Sequence, residues 1–333
     1  MTAEPAQYGT GPTLPGTAMT TMEGDLLAGS ELTDPSAGAV LYRVLARSAR
    51  SFLLNDVGDG ADDLPGATAT ASDGVRRRLT EEGRVHQSRV ALRRIRSNLR
   101  TFRLLVDPTW GTSLRAELAW YADRLGESRD LHVLRDLVAV QGPLILDEHD
   151  IDPIMAVIAH ATADADARVA ASRSGDRRSR LVEQMLLLWD GPPFTRKADK
   201  SAGDVLPPLL HRTWGDARGA ARAAKKHPSD VNLHKLRIRL KGLRYGCETV
   251  ALVEGGPARK TAKAAEQLQS KLGDLHDASV SIEWLHALAS SRPELGRSAE
   301  RLVEAQEAAA TVARKGWKAD FRDIERRWRR WQG

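Results

Sequence analysis

The segment "VHQSRVALRRIRSNLR" (residues 85–100) is echoed by "LHKLRIRLKGLRYGCE" (residues 233–248). Each copy carries a histidine, an arginine three residues later and a second cation four residues after that. Apolar residues recur in both copies at intervals of three and four, which is the periodicity of a helix with one buried face. A helical motif that occurs twice indicates an internal duplication, so the repeated unit predicts the architecture of the chain.

A second motif, "LGESRDLHVL", is echoed in the same order by "LGDLHDASVS". Its aspartates, Asp130 and Asp277, follow His86 and His234 by 44 and 43 residues. Duplicated helical units usually pack about a pseudo-two-fold axis, which is the arrangement expected here. Each aspartate is expected to tether a neighbouring arginine or to cap backbone N–H groups.

The chain as a whole has the sequence pattern of an all-α protein. The helical period dominates, strand-like alternation is scarce, and glycine and proline cluster between the helical segments. Asp107-Pro108, Ser229 and Gly255 supply stop and cap signals. The predicted helices span residues 37–56, 85–106, 111–140, 151–172, 176–190, 204–226, 230–254, 257–291 and 297–331.

The repeats divide the chain into two halves, residues 36–195 and 204–331, on either side of "DGPPFTRKADKSAGD" (residues 190–204). Residues 1–35 are rich in threonine, glycine, proline and alanine, a composition that predicts a disordered tail. Residues 57–74 are expected to form a loop. No basic segment precedes an apolar run at the N-terminus, and no 18 apolar residues stand together, so neither a signal peptide nor a membrane span is predicted.

The charge of the chain is uneven. The net charge is +6, but the first 42 residues hold five acids and no lysine or arginine, so the remainder carries +11. A folded region this basic indicates a polyanionic partner. The single cysteine, Cys247, cannot form an internal disulfide and offers no zinc cluster, which favours a reducing, cytoplasmic environment.

The cations of the repeated helix lie on a shoulder of its apolar face when the residues are placed at 100° intervals. These stripes contain no acid, although like charges one turn apart repel by a few tenths of a kcal/mol per pair. If the two helices face each other, the stripes line one cleft. The first stripe extends over about 21 Å at 1.5 Å per residue, a length that suits a linear polyanion. The stripes comprise His86, Arg89, Arg93, Arg96 and Arg100 in the first copy and His234, Arg237, Lys241 and Arg244 in the second.

These four motifs, in this order, resemble the CHAD family, named for its conserved histidines in an α-helical domain. The resemblance covers about residues 37–331, and it implies a domain over residues 36–331. It also implies two four-helix bundles related by internal pseudo-two-fold symmetry around a basic central pore. The pore would bind inorganic polyphosphate, and the protein would lie in the cytoplasm at polyphosphate granules. Neither a cofactor nor a metal is implied.

The resemblance transfers a polyphosphate-binding role residue by residue. Arg94 matches the family pattern but points off the stripe. Gly242 stands where the first copy has Arg94, and His276 stands where it has Arg129, so the second half is expected to make fewer contacts. Matched by motif are His86, Arg89, Arg93, Arg96, His234, Arg237, Lys241 and Arg244, while helical geometry and repeat alignment add Arg100, Arg124 and Lys271.

Two alternative functions stay open. Rows of arginine and lysine attract any phosphate backbone, so nucleic acids and other polyanions are alternative partners, although the stripes lack interleaved aromatic residues for base stacking. A metal-dependent polyphosphate hydrolase would need more ligands than the two His-Asp dipeptides, at residues 149–150 and 276–277, provide. Because the chain has neither a phosphate-binding glycine loop nor a nucleophile elbow, a non-enzymatic protein is expected.

Overall fold

The computed structural model describes residues 35–56, 80–188 and 190–332. Within these residues the chain is helical, with two isolated β-bridges and no β-strand. The predicted all-α fold class is therefore confirmed. The predicted loop at residues 57–74 and the predicted tail, except for Pro35, lie outside the described residues.

The described part of the chain forms ten α-helices, five before and five after the connection that divides the halves. The helices are α1 (Ala37–Asp56), α2 (Glu81–Thr101), α3 (Pro108–Gln141), α4 (Glu148–Arg173), α5 (Asp176–Leu187), α6 (Ala202–Lys226), α7 (Asp230–Glu254), α8 (Gly256–Ser291), α9 (Gly296–Ala313) and α10 (Trp317–Gln332).

The predicted helix boundaries have the expected local causes. The Asp107 carboxylate accepts a hydrogen bond from the Trp110 N–H at 2.8 Å, so it caps the first turn of α3. The Ser229 hydroxyl accepts one from the Asn232 N–H at 3.3 Å and caps α7. Gly255, at a φ of +65°, lies between α7 and α8, where a side chain would be strained.

The prediction of one helix over residues 297–331 is wrong. The helix breaks at Gly316, which has a φ of +81°, and α9 and α10 follow each other along α8. Glu300 of α9 contacts His286 at 3.5 Å, and Asp320 of α10 pairs with Lys271 at 2.6 Å. Trp214 of α6 stacks on Phe321 and Trp328, with ring centroids 5.9 and 4.9 Å away. The apolar stripe of α10, which includes Ile324 as well as these two aromatic residues, is buried in the hydrophobic core.

Two hydrophobic cores hold the helices together, and each contains residues from both halves. The larger core includes parts of α1, α2, α3, α5, α6, α7, α8 and α10. The smaller core joins the ends of α3 and α8 to α4 and α9, with Val138 and Ile154 packed in the same cluster as Leu285 and Leu302. The halves are therefore joined by buried apolar surface, the main favourable contribution to folding.

Across residues 35–56, 80–188 and 190–332, no helix combines the length and the apolar character needed to cross a membrane. The single cysteine, Cys247, is fully buried in the larger core, where it packs as a small apolar side chain.

Candidate anion-binding site

The two motif helices, α2 and α7, contact each other directly. The Thr249 hydroxyl donates a buried hydrogen bond to the Asn98 side-chain oxygen at 2.8 Å. A Cβ added to Gly246 would lie 3.3 Å from Cγ2 of Thr101. Both contacts join the C-terminal half of α2 to the C-terminal half of α7, so the motif helices pack together there. The cations on the preceding turns of both helices also lie near one another.

The first and middle turns of α2 and α7 place Arg89, Arg93, Arg237 and Lys241 near one another, and we call these four residues the central cluster. Burial and the charges of the three arginines lower the pKa of Lys241 to about 7. Only nearby like charges and loss of water produce such a shift in a lysine. Cations from the two repeats therefore meet in one site, as the sequence predicted for these four.

Each repeat holds one arginine of the central cluster against the helix that follows it. Arg89 donates to the carbonyl oxygen of Gly126 at 3.3 Å and lies 3.7 Å from an oxygen of Asp130. A Cβ at Gly126 would lie 3.8 Å from Nη2 of Arg89, and a Cβ at Gly273 would lie 3.7 Å from Nη2 of Arg237. Each guanidinium thus lies against the backbone of the helix that follows its own. The predicted tether is thus confirmed for Asp130, which cannot cap a helix because it lies inside α3.

Carboxylates border the central cluster without neutralising it. Burial raises the pKa of Asp277, and Arg237 opposes that change. Burial lowers the pKa of Arg237, an effect that Asp277 counters more than Asp130 does. No carboxylate of the described residues forms a salt bridge with Arg93, Arg237 or Lys241. The cluster therefore keeps an excess of positive charge.

Three buried nitrogen atoms beside the central cluster have no hydrogen-bond partner among the described residues. They are Nε of Arg93, Nε of Arg237 and Nδ1 of His234. A buried polar atom without a partner costs about 1–3 kcal/mol. An anion rich in acceptor oxygens would remove this cost, so the site has the chemistry of an anion receptor.

Two histidines in ring contact flank the cluster on the second repeat. The rings of His234 and His276 lie 4.5 Å apart at 44°. Burial, followed by the charge of Arg237, lowers the pKa of both rings, that of His276 to about 4. Neutral imidazoles can donate N–H groups without adding to the repulsion among the cations.

Arg129 occupies the corresponding place on the first repeat, beside His86. Desolvation and the Arg129 guanidinium lower the pKa of His86. Arg129 also donates to Glu82 at 2.6 Å. Sequence reasoning aligned Arg129 with His276 but placed neither in the binding site, although their identical positions before the repeated aspartates were a usable signal.

Two predicted site residues form salt bridges at the C-terminal halves of the motif helices. Arg94 and Arg244 share Glu248, with the Arg244 contact at 2.8 Å, and Arg244 also reaches Glu266 at 2.7 Å. Arg94 lies off the stripe, as the helical wheel indicated. The structure does not bring either residue into the central cluster.

Four more predicted residues also lie away from the central cluster. Arg100 pairs with Asp216 at 3.4 Å, and Lys271 pairs with Asp320 at 2.6 Å. Burial lowers the pKa of Arg96, which lies near Asp123 on α3. The fourth residue, Arg124, is exposed and lines a shallow depression between α3 and α4. The binding roles of these four, like those of Arg94 and Arg244, stay predictions.

No group of three His, Cys, Asp or Glu side chains in the described part of the chain is arranged to hold a metal ion. His149 and Asp150, one of the two His-Asp dipeptides, lie in the first turn of α4.

Comparison with known proteins identifies the family. A profile of the CHAD domain matches residues 66–286. The chain belongs to the CHAD domain family. The CHAD protein is 30% identical over 221 residues to Rv2226 of Mycobacterium tuberculosis strain H37Rv and to MT2285 of strain CDC 1551, both described as uncharacterized proteins. The match covers 60% of this chain and 39% of each relative, so the chain spans about two fifths of their length.

Solved structures share the fold of the CHAD protein. PptA from Streptomyces chartreusis superposes with a TM-score of 0.67 at 20% identity, covering 86% of this chain and 99% of PptA. The CHAD domain from the plant Ricinus communis gives a TM-score of 0.66 at 19% identity, covering 89% and 95% of the two chains. At these identities the likeness shows a common fold.

Proposed function

We propose that this CHAD domain binds inorganic polyphosphate through the central cluster and does not catalyse its turnover. One observation carries the proposal: Arg89, Arg93 and Arg237, from both repeats, lie around the buried Lys241, whose pKa burial and then these charges lower to about 7. Like charges at this spacing favour a ligand that carries closely spaced negative charges. A linear phosphate polymer has that charge distribution, as well as the acceptor oxygens that the unpartnered N–H groups require.

We assign direct phosphate contacts to the residues that face this end of the α2 and α7 pair, and a bordering position to Arg129 and His276. Salt bridges keep Arg94, Arg100, Arg244 and Lys271 engaged with carboxylates, so we assign these residues to the scaffold. The proposed contact residues are His86, Arg89, Arg93, His234, Arg237 and Lys241.

We further propose that the halves, residues 36–195 and 204–331, are four-helix bundles in which α4 with α5, and α9 with α10, each count as one interrupted helix. The bundles would be related by a pseudo-two-fold axis between α2 and α7, with the central cluster in a basic pore. Matched contacts support this symmetry, because Arg89 lies over Gly126 as Arg237 lies over Gly273. In the cell, the proposed location is the cytoplasm, at polyphosphate granules, with other polyanions as competitors.

Titration of long-chain polyphosphate at several salt concentrations tests the proposal. The double substitution Arg93→Gln and Arg237→Gln should weaken binding by at least about tenfold, roughly 1.4 kcal/mol. It should also make the dependence on salt shallower, because fewer counterions are exchanged. The matched control, Arg94→Gln with Lys271→Gln, removes the same charge from residues outside the cluster and should change affinity by less than about threefold. Equal losses in the two variants would mean that only net charge matters.

The same protein distinguishes the alternative functions. Polyphosphate should displace duplex DNA at matched phosphate concentration, and DNA should displace polyphosphate poorly. If DNA binds more tightly, the nucleic-acid alternative replaces the proposal. Release of orthophosphate in the presence of Mg²⁺ or Mn²⁺ would instead favour a hydrolase.

A further inference from the structure

Helices α6 and α10, both in the second half, run antiparallel and meet through large side chains. His211 packs edge-on against Trp328 at 5.6 Å, and three residues further along α6, Trp214 stacks on both Trp328 and Phe321. Residues later in α6 therefore contact residues earlier in α10, which means that the two helices run in opposite directions. A hydrogen-bond contact between His211 and Gln332 extends the seam to the end of α10.

Exposed cations line one edge of this seam. Helical periodicity places three cations of α6 on the side that faces α10, and three cations of α10 on the side that faces α6. The antiparallel alignment sets Arg218 opposite Arg322 and Arg222 opposite Lys318. The row on α10 extends about 16 Å at 1.5 Å per residue. We call this surface the outer groove, and it comprises Arg218, Arg222, Lys225, Lys318, Arg322 and Arg329, all exposed.

The positive charge of the outer groove is largely uncompensated. Among the described residues, no salt bridge involves Arg218, Arg222 or Arg329. Glu325 is the acid on the shoulder of α10 that faces α6, and it is half-buried.

The other acids of these two helices near the pair are engaged elsewhere. Asp216 faces Arg239 of α7 at 3.3 Å, on the opposite side of α6. Asp323 pairs with Arg327 at 2.6 Å, away from the seam. An ordinary solvated surface would mix the two signs along such rows, as the i to i+4 pairing of opposite charges is favourable. The rows of the outer groove contain mainly positive charges.

The chemistry of the groove favours a bare phosphate chain over a membrane or stacked bases. No large apolar side chain of α6 or α10 is exposed, so nothing on these helices is placed to insert into lipid. The rings of Trp214 and Trp328 are buried in the seam and unavailable for stacking on bases. The groove presents guanidinium groups, whose planar arrangement of N–H donors fits the oxygens of a phosphate.

We propose that the outer groove is a second binding surface for polyphosphate, which engages a long chain already held by the central cluster. This inference rests on the proposed function. A second contact on the same polymer is intramolecular, so it raises affinity through effective concentration. The groove therefore gives the protein a preference for long chains that tripolyphosphate, too short to reach two surfaces, would not reveal.

Four substitutions in the groove test the inference: Arg218→Gln, Arg222→Gln, Arg322→Gln and Arg329→Gln. The matched control removes the same charge from exposed positions further around the same helices: Arg212→Gln, Lys226→Gln, Arg326→Gln and Arg330→Gln. Each protein is titrated with tripolyphosphate and with long-chain polyphosphate, and thermal unfolding checks that both variants are folded. The groove variant should bind tripolyphosphate like the wild type and long chains about tenfold more weakly, while the control should lose about twofold at most.

Each other outcome has a defined meaning. Equal losses of long-chain affinity in the groove variant and the control would overturn the inference, as would no loss in either. If the groove variant lost affinity for duplex DNA but not for long-chain polyphosphate, the surface would bind nucleic acid instead. A further outcome separates the two proposals. If Arg93→Gln with Arg237→Gln left tripolyphosphate binding unchanged while the groove variant lost long-chain binding, the proposed binding at the central cluster would be wrong. The proposed binding at the outer groove would be supported.

Discussion

The rings of His234 and His276 lie 4.5 Å apart beside the guanidinium of Arg237. Burial, then the neighbouring charges, lowers the pKa of His276 to about 4, so this ring is neutral at pH 7. The second repeat thus presents hydrogen-bond donors where the first repeat presents the charge of Arg129. The two copies of the motif therefore contribute different amounts of positive charge to the site, because the first has an arginine where the second has a neutral histidine.

The lowered pKa of His276 makes stability depend on pH. Unfolding restores the usual pKa of 6.5, so between about pH 6.5 and 4 the unfolded chain binds more protons than the folded chain. Stability should therefore fall as the pH falls through this window. Substituting His276→Gln should make the slope of the melting temperature against pH shallower there. His149→Gln, at an exposed position of α4, should keep the wild-type slope. An unchanged slope in His276→Gln would contradict the assignment.

Replacing Lys241 with methionine should weaken polyphosphate binding and raise the free energy of unfolding. At and below pH 7 the folded state carries the cost of a charged Lys241 among arginines, and this cost disappears as the pH rises from about 7 to 10.5. Lys241→Met should raise the free energy of unfolding at pH 6 by on the order of 1 kcal/mol, because the half-buried charge is partly screened. The gain should shrink at pH 9. Urea unfolding at the two pH values measures it, and a destabilised variant would refute the account.

Polyphosphate binding should take up protons near Lys241. A bound polyanion favours the charged lysine and raises its pKa from about 7, so a proton enters the complex at pH 7 to 8. Affinity should then decrease as the pH rises from 7 to 9. Calorimetry in buffers of different ionisation enthalpy counts the protons. Lys241→Arg keeps the charge at all these pH values and should abolish the uptake.

Two glycines of α7, one helical turn apart, should respond to alanine with opposite signs. A Cβ at Gly246 would lie 2.4 Å from Cδ1 of the fully buried Leu210, so Gly246→Ala should cost about 1–3 kcal/mol by overpacking. A Cβ at Gly242 would lie 3.6 Å from Cγ2 of Thr213, an ordinary contact. Gly242→Ala should stabilise the helix by about 0.5–1 kcal/mol. Chemical denaturation of both variants checks the contrast.

Asp56 anchors the first half through a buried carboxylate. It accepts hydrogen bonds from the Tyr121 hydroxyl at 2.6 Å and from Nη2 of Arg178 at 2.8 Å, and its side chain is fully buried. Asp56→Asn should cost about 3–5 kcal/mol, because it leaves the Arg178 charge without its partner. The corresponding change at the half-exposed Asp216 should cost about 1 kcal/mol or less. If the two substitutions lowered the free energy of unfolding by similar amounts, burial of the carboxylate would not determine the cost.

The sequence allowed the fold class to be predicted because helical periodicity and stop signals are local properties. The wrong single helix over residues 297–331 shows the limit. A lone glycine within a periodic pattern is compatible with a continuous helix, and the break at Gly316 places α10 on an apolar surface supplied by α6 and α8. That surface comes from a distant part of the chain.

The candidate site could be predicted in part for the same reason. Residues of one stripe share a helix face, and Arg93 and Lys241 follow that rule into the central cluster. Arg244, one turn beyond Lys241, lies outside the central cluster because it forms salt bridges with Glu248 and Glu266. Which carboxylate meets which cation depends on how α8 packs against α7, and a helical wheel of a single helix contains no such information.

The break at Gly316 has an electrical consequence for the whole molecule. It separates α10 from α9, and the aromatic stripe of α10 then packs against α6, so the exposed arginines of the last helix lie beside those of α6. The backbone at this glycine thus helps to set where the positive charge of the surface is concentrated. A β-branched residue in this left-handed conformation would be strained, and relief of the strain would displace several positive charges together with the direction from which anions approach.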